Sequence, residues 1–576
     1  MKLRSFFSFL IAGVLALLGL SAGGFYWLTT QTPLNLLAGG PTTTPSAAVF
    51  VSKQAPLLAS MLVNPDRLEA LRQVFATPEE RSRSHAEFEQ IKKSFLTNTG
   101  LDYSRDIQPW IGDEITLAVT TPDLDGDSSN GKETGFLLAV SSQNIDRSQQ
   151  FLDSYWRKQS RADKTVQSEL YKGIQLTYKK SLTANKKSAT ISPFNPFSLP
   201  NSTLPRSFAT AAIGGSSNSG NNPSFVLFAN SQNVIRDAIN NLEAATLNLN
   251  NSPEYQKALQ QLTQGRIALA FVNLPQPATE QNPQVSLNSL AVAVGVNRRG
   301  LLAQTALVTS RENTASPTLS EPVQALQYIP SASPFAVAST DLRNFWADLS
   351  SAVSANPEVS KLVDRTLADI QQLWGVNLPQ DIFDWVQGEY ALAVLPNSSN
   401  SADWIFAAEK SADSQKAIDK LDEIARSKEY SIGSFTLRNQ KITAWTQLTT
   451  SQNLGKKNRK SAIETEAKGV RATVGKYEIF TTSVESMDAA LEAAETGSLV
   501  ANQDFQTSIE PLPPSNDGYF YLDWPSSRAI WEKQIPLLRL IELSARPLFD
   551  HLRSLTVTST GEITGIRKAT IFMRLN

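Results

Sequence analysis

Hydrophobic positions along the chain follow two rhythms. Leu68, Leu71, Val74 and Phe75, and then Phe88, Ile91 and Phe95, recur at three- and four-residue spacing, which predicts a helical hairpin over 66–75 and 79–96. Shorter apolar runs bounded by turn residues predict strands over 115–119 and 135–140, a helix over 146–157, and strands over 166–170 and 174–178. A strand over 225–228 leads through Ser231, a capping residue, into a helix to 245. Strands over 266–272 and from Ser289 follow, the last turned at Arg299-Gly300.

The same order returns downstream. Helices are predicted over 341–353 and 357–374, the second carrying Val363, Leu367, Ile370 and Leu373. Strands over 390–394 and 404–408, a helix over 411–427, and strands over 430–437 and 442–446 come next. After a polar insertion, a strand over 477–480, Ser483 with a helix to 494, a strand over 518–523 and a hairpin from Ser554 turned at Thr560-Gly561 complete the second series. One signature keeps its spacing in both: Gly100, Asp106, Trp110 and Glu114 against Gly375, Asp381, Trp385 and Glu389. These patterns predict an α+β fold in two tandem copies, each a mainly antiparallel sheet with helices packed on one face. The copies are expected over 47–308 and 329–576, divided by a Pro/Ser/Thr-rich linker over 309–328.

Residues 6–28 carry no charge and are long enough as a helix to cross a bilayer, with Lys2 and Arg4 before them and no charge after them until Lys53. The expectation is a single transmembrane anchor over 1–30, a flexible spacer over 31–46, a cytoplasmic N-terminus and an extracytoplasmic body. A cleaved signal peptide is the competing expectation, since Ser21-Ala22-Gly23 offers small residues for a peptidase. With 53 basic and 54 acidic residues, the net charge of −1 gives no electrostatic reason to expect nucleic acid as a partner. The chain has no cysteine, which excludes disulfides, thiol catalysis and thiolate zinc sites.

Candidate chemistry is sparse. Asp106 with Glu114, and Asp381 with Glu389, are paired carboxylates at one repeated spacing, the pattern acid/base work needs; the same residues also suit helix starts and strand ends, with Trp110 and Trp385 as core anchors. Asp123, Asp125 and Asp127 alternate like the opening of a calcium loop, yet Ser128 stands where such a loop turns on Gly and Thr134 where it closes on Glu. The basic run 456–460, the Lys186-Lys187 pair, and Phe194 and Phe197 within the long polar insertion 182–224 are candidate contacts. His85 and His551 have no second ligand at metal spacing, and no nucleophile elbow, phosphate loop or dinucleotide fingerprint is present. No cofactor is expected.

The run from Pro56 to Pro65 and the signature Gly100-Leu101-Asp102, Asp106-Ile107, Trp110-Ile111-Gly112-Asp113-Glu114 resemble the mostly cyanobacterial family known as domain of unknown function 3352. The resemblance implies a membrane setting in the envelope or thylakoid, with the bulk of the chain in the periplasm or thylakoid lumen, and no activity to carry over. Three functions remain open: a membrane-tethered, non-enzymatic binding or scaffold protein that meets another envelope protein; a carrier of an apolar ligand such as a lipid or pigment; and a hydrolase using the carboxylate pair.

Overall fold

A computed structural model of the chain describes residues 44–64, 102–124, 133–162, 165–179, 208–214, 223–273, 287–309, 319–343, 376–396, 402–452, 461–528, 546–563 and 565–575, with a few isolated positions between. Ten strands form a first half: β1 (Leu57–Met61), β2 (Ile111–Thr121), β3 (Gly135–Ser142), β4 (Val166–Tyr171), β5 (Ile174–Lys179), β6 (Phe208–Ile213), β7 (Ser224–Ala229), β8 (Ala268–Asn273), β9 (Leu287–Asn297) and β10 (Gly300–Thr309). Ten more form a second: β11 (Phe335–Thr340), β12 (Glu389–Pro396), β13 (Ala402–Glu409), β14 (Ser431–Leu437), β15 (Gln440–Gln452), β16 (Ser461–Val474), β17 (Tyr477–Thr481), β18 (Gly518–Asp523), β19 (Leu552–Ile563) and β20 (Ile566–Leu575).

Every pairing is antiparallel. In the first half the spatial order is β4-β5-β6-β7-β3-β2-β1-β8-β9-β10. In the second it is β14-β15-β16-β17-β13-β12-β11-β18-β19-β20, the same sequence of neighbours. Strand β10 then pairs with β20, which makes one sheet with β4 at one end and β14 at the other. The seam runs without a register shift from Gly300 opposite Arg574 to Val308 opposite Ile566.

Two tandem α+β modules, each a mainly antiparallel sheet with helices packed on one face, behind a transmembrane helix were the expectation; the described residues instead form one antiparallel sheet of twenty strands with few helices. Two strands account for much of the difference. β6 lies within what reads as a polar insertion, because Phe208-Ala-Thr-Ala-Ala-Ile213 is made of small residues without clear alternation, although it pairs on both sides. β16 lies within the second insertion and reads as polar because it carries Glu464, Glu466, Lys468 and Arg471. A third cause is the seam, since spacing along a chain says nothing about which edges meet. The last hairpin also turns later than expected: β19 passes Gly561 with a shift in register and ends at Ile563.

No helix among the described residues is long and apolar enough to cross a membrane, which goes against the single-pass reading. The segment 6–28 that prompted that reading lies outside the described residues, as do the helical hairpin expected over 66–96 and the basic run 456–460.

Helices α1 (Ile145–Ala162), α2 (Gln232–Glu243) and α3 (Pro253–Gln261) belong to the first half, and α4 (Ser414–Ser427), α5 (Val484–Thr496), α6 (Gln503–Ile509) and α7 (Arg546–His551) to the second. Each half has its own core: Val234, Ile235 and Ile239 of α2 with Phe225, Leu227 and Phe271 in one, Met487 and Leu491 of α5 with Ile405, Ile479 and Tyr521 in the other. A third core is shared, joining Ala270, Val294 and Leu301 to Phe335, Leu522 and Met573. The central strands are thus buried on both faces, and burial of apolar surface there ties the halves together beyond the seam's hydrogen bonds.

Candidate functional site

The repeated signature folds into one local device, built twice. Tyr103–Ile107 and Leu378–Ile382 each form a single wide turn in which the backbone N–H five residues on reaches back, Gln108 to Tyr103 and Phe383 to Leu378. The turn is held reciprocally. The Asp102 N–H donates to Asp106 Oδ2 at 2.8 Å while the Arg105 N–H donates to Asp102 Oδ1 at 2.9 Å. In the second copy the Asn377 N–H donates to Asp381 Oδ2 at 2.7 Å and the Gln380 N–H to Asn377 Oδ1 at 3.4 Å. Side-chain acceptors for otherwise unpaired first-turn donors are the usual way such a start is fixed. The tryptophan closes it: Trp110 Nε1 donates to the Asp106 carbonyl at 2.8 Å, and Trp385 Nε1 to the Asp381 carbonyl at 3.2 Å. The turn ends sooner than a helical spacing suggests, because Ile111 already belongs to β2.

Each aspartate also meets a cation. Arg105 grips Asp106 at 2.7 Å, and that hydrogen-bonded guanidinium holds the Asp106 carboxyl below the ordinary range. Lys420 of α4 reaches Asp381 at 2.5 Å.

The glutamates serve a different element. Glu114 accepts the Ser46 N–H at 2.8 Å and the Ala47 N–H at 2.9 Å, the first donors of the one-turn helix Ser46–Phe50, and also the Thr116 hydroxyl at 2.9 Å. It is a cap supplied from a strand 67 residues away (114 − 47 = 67). Burial pushes its carboxyl up, opposed by those three donors. Glu389 does the same for the one-turn helix Gln324–Tyr328, accepting the Gln324 N–H at 3.1 Å, and it accepts the Tyr477 hydroxyl at 2.6 Å. Lys476 lies 3.9 Å from Glu389 and 3.2 Å from Glu409. Aspartate and glutamate thus have separate partners in both copies.

The other sequence candidates are scattered. The Asp123 N–H donates to Thr121 Oγ1, whereas Asp125 and Asp127 lie outside the described residues. No group of three metal-capable side chains is assembled among the described residues. His551 ends α7, and His85, Lys186, Lys187, Phe194 and Phe197 lie outside the described residues.

What sequence reasoning missed is the pair of sheet ends. β4 and β14 each have one strand neighbour among the described residues, β5 and β15, and each is joined to it by a two-residue turn with positive φ at both positions: Lys172-Gly173 and Arg438-Asn439. Both ends are tied to a helix. On β4, Glu169 accepts Arg236 of α2 through two bonds of 2.8 and 2.7 Å, and Lys172 meets Glu243 at 2.7 Å. At the other end the cation sits in the turn, where Arg438 reaches Asp488, Glu492 and Glu495 of α5. β14 itself, Ser431-Ile-Gly-Ser-Phe-Thr-Leu437, has no charge at all.

Five of those seven residues are exposed, Phe435 at 39% among them. A Cβ added at Gly433 would meet nothing within 4 Å. Exposed edge strands ordinarily carry charges, prolines or bulges that stop another strand from adding to them. β14 carries none. The signal was present in the sequence as an uncharged run ahead of an Arg-Asn turn, but only the strand order reveals that this run has an open side.

Beyond β14 the hairpin continues. β15 and β16 pair from Ile442/Ala472 to Gln452/Ser461, whereas β14 reaches only to Thr446 and β17 only to Val470, so the distal part is a two-stranded ribbon with Leu448 exposed at 66%.

Among curated proteins none matches the chain. The solved structure titled "Structure of crystal form I of TP0453" is similar over 47% of this chain and 81% of that one, with 10% identity and a TM-score of 0.24, which is too low to carry an argument. The family described as protein of unknown function (DUF3352) matches residues 10–575, and the chain belongs to that family.

Proposed function

We propose that the chain is a non-enzymatic binding or scaffold protein that takes up an extended polypeptide segment along the free edge of β14. One observation carries this reading: an uncharged, exposed terminal strand with a single neighbour among the described residues, in a sheet whose opposite terminal strand bears a charge clamped to a helix. Strand addition draws affinity from backbone hydrogen bonds and specificity from alternate side chains, and the surface at Gly433 and Phe435 is open to such contacts. The signature carboxylates support it indirectly, since their oxygens are engaged by backbone donors and neighbouring cations.

The test is selection of unstructured displayed peptides on the full chain, followed by amide exchange. Because Leu437 and Gln440 close a two-residue hairpin, the N–H groups of residues 437, 435, 433 and 431 point toward β15 and those of Ile432, Ser434 and Thr436 point outward. Peptides that slow exchange at those three amides, and that are lost on Ser434→Pro, support the reading. Selected peptides that protect other amides instead, or no selection at all, overturn it.

A further inference from the structure

We infer that the β14 edge pairs with β14 of a second copy of this chain, in antiparallel register centred on Ser434. This rests on the proposed strand-addition role of that edge and names its occupant. Three features of the segment agree on the same register.

The first is parity. The outward N–H and C=O groups belong to Ile432, Ser434 and Thr436. A two-fold axis at Ser434 sets Ser434 opposite Ser434 and Ile432 opposite Thr436, so all three residues enter hydrogen-bonded pairs and no outward donor is left over. An axis at Gly433 or Phe435 keeps the parity but leaves Thr436 or Ile432 without a partner inside the strand, so the Ser434 axis uses the most outward groups.

The second is shape. In that register the exposed Phe435 of one copy lies opposite Gly433 of the other, in a non-hydrogen-bonded pair, where facing side chains come closest. Gly433 has open space where a Cβ would stand, and Phe435 is the large exposed apolar group beside it. An aromatic ring lying across a glycine on the neighbouring strand is a known way to cover that gap. The segment therefore carries both halves of the contact, as a self-pairing surface requires.

The third is charge. No like charges meet, because β14 has none. Charge enters only at its flanks, where Glu429 precedes the strand and Arg438 follows it, the latter already held by Asp488, Glu492 and Glu495 of α5. At the opposite end of the sheet the position equivalent to Phe435 is Glu169, counted back from the two hairpin turns, and Arg236 holds it. Self-pairing there would bring two such acids into the interface. The two ends are therefore not interchangeable, and the inference is specific to β14.

The chain's lack of cysteine makes the experiment direct. Hydrogen-bonded antiparallel partners lie about 5.5 Å apart at Cα, within the range a disulfide spans. In the full chain, Ser434→Cys should form a covalent dimer on mild oxidation. Ile432→Cys alone should not, because its own counterpart is about 13 Å away along the strand. A mixture of Ile432→Cys and Thr436→Cys chains should crosslink to each other. Phe435→Lys should abolish dimer sedimentation with an unchanged melting curve, which separates loss of pairing from loss of fold.

Equal crosslinking of all single variants, or crosslinking of Ser434→Cys to Ser168→Cys on β4 in preference to itself, overturns the inference. A chain that stays monomeric while selected peptides still protect residues 432, 434 and 436 overturns self-pairing and leaves the strand-addition role standing. Failure of both readouts removes both.

Discussion

The two halves share their strand order, their signature turn and their glutamate cap, and they differ in how water and charge reach those parts. Glu114 is 8% exposed and holds three donors in a dry setting, whereas Glu389, whose side chain is 20% exposed, shares its surroundings with Lys476 and Glu409. The ends of the sheet diverge further: both turns carry a base that meets a helix acid, Lys172 with Glu243 and Arg438 with Glu495, but only the first half adds an acid on the edge strand, Glu169, held by Arg236. The helix is tied to the hairpin either way. The turn-to-helix tie is therefore common to both copies, and what differs is the edge strand itself, charged and held at one end and neutral at the other.

The largest effects should come from removing what the halves share. Trp110→Ala and Trp385→Ala should each destabilise by about 3–5 kcal/mol, the range for deleting a buried aromatic, read as a shift in denaturant midpoint. A loss in only one of them would break the equivalence of the two turns. Next, Glu114→Ala should cost about 3 kcal/mol by stranding buried donors, and Glu389→Ala about 1 kcal/mol because water can replace the carboxylate. Equal costs would contradict the wet and dry contrast.

Glu114 should also be visible in pH. Burial raises its pKa above the ordinary 4.5, so the folded chain holds that proton more tightly than the unfolded chain. The group's contribution is therefore most favourable below that value and falls as pH rises through the folded pKa. Glu114→Gln should flatten the decline in melting temperature between pH 4.5 and neutrality. A slope identical to that of the unaltered chain would assign the burial cost elsewhere.

Smaller still, Arg236→Ala and Arg438→Ala should each cost less than about 1 kcal/mol, and both losses should shrink in high salt. The smallest effect belongs to Phe435→Lys, within about 0.5 kcal/mol of the unaltered chain, as expected for an exposed site.

Elements with bulky periodic residues were readable in the sequence. The strand expected over 115–119 runs from Ile111 to Thr121, and the helix expected to start at Ser483 follows that residue, whose hydroxyl accepts the Ser486 N–H at 3.0 Å. What escaped was whatever depends on partners distant in sequence. The small side chains of Phe208–Ile213 carry no local signature, and β6 exists because β5 and β7 flank it. The role of Glu114 was hidden for the same reason: its first acceptor duties lie 68 residues upstream at Ser46. The open edge of β14 was invisible because a strand's neighbours on a sheet are a property of the whole fold.

The seam between β10 and β20 imposes an order on synthesis. Its paired residues are separated by 258 to 274 positions (566 − 308 and 574 − 300). At roughly 5–20 residues per second, β10 waits about 13 to 55 s after leaving the ribosome before its partner exists. Throughout that interval its unpaired backbone and the apolar side chains of Leu301 and Ala303 stand uncovered. A nascent chain of this design is thus most vulnerable at its middle, and a holdase or a transient occupant of that edge during elongation would guard a ladder whose first strand is made long before its last.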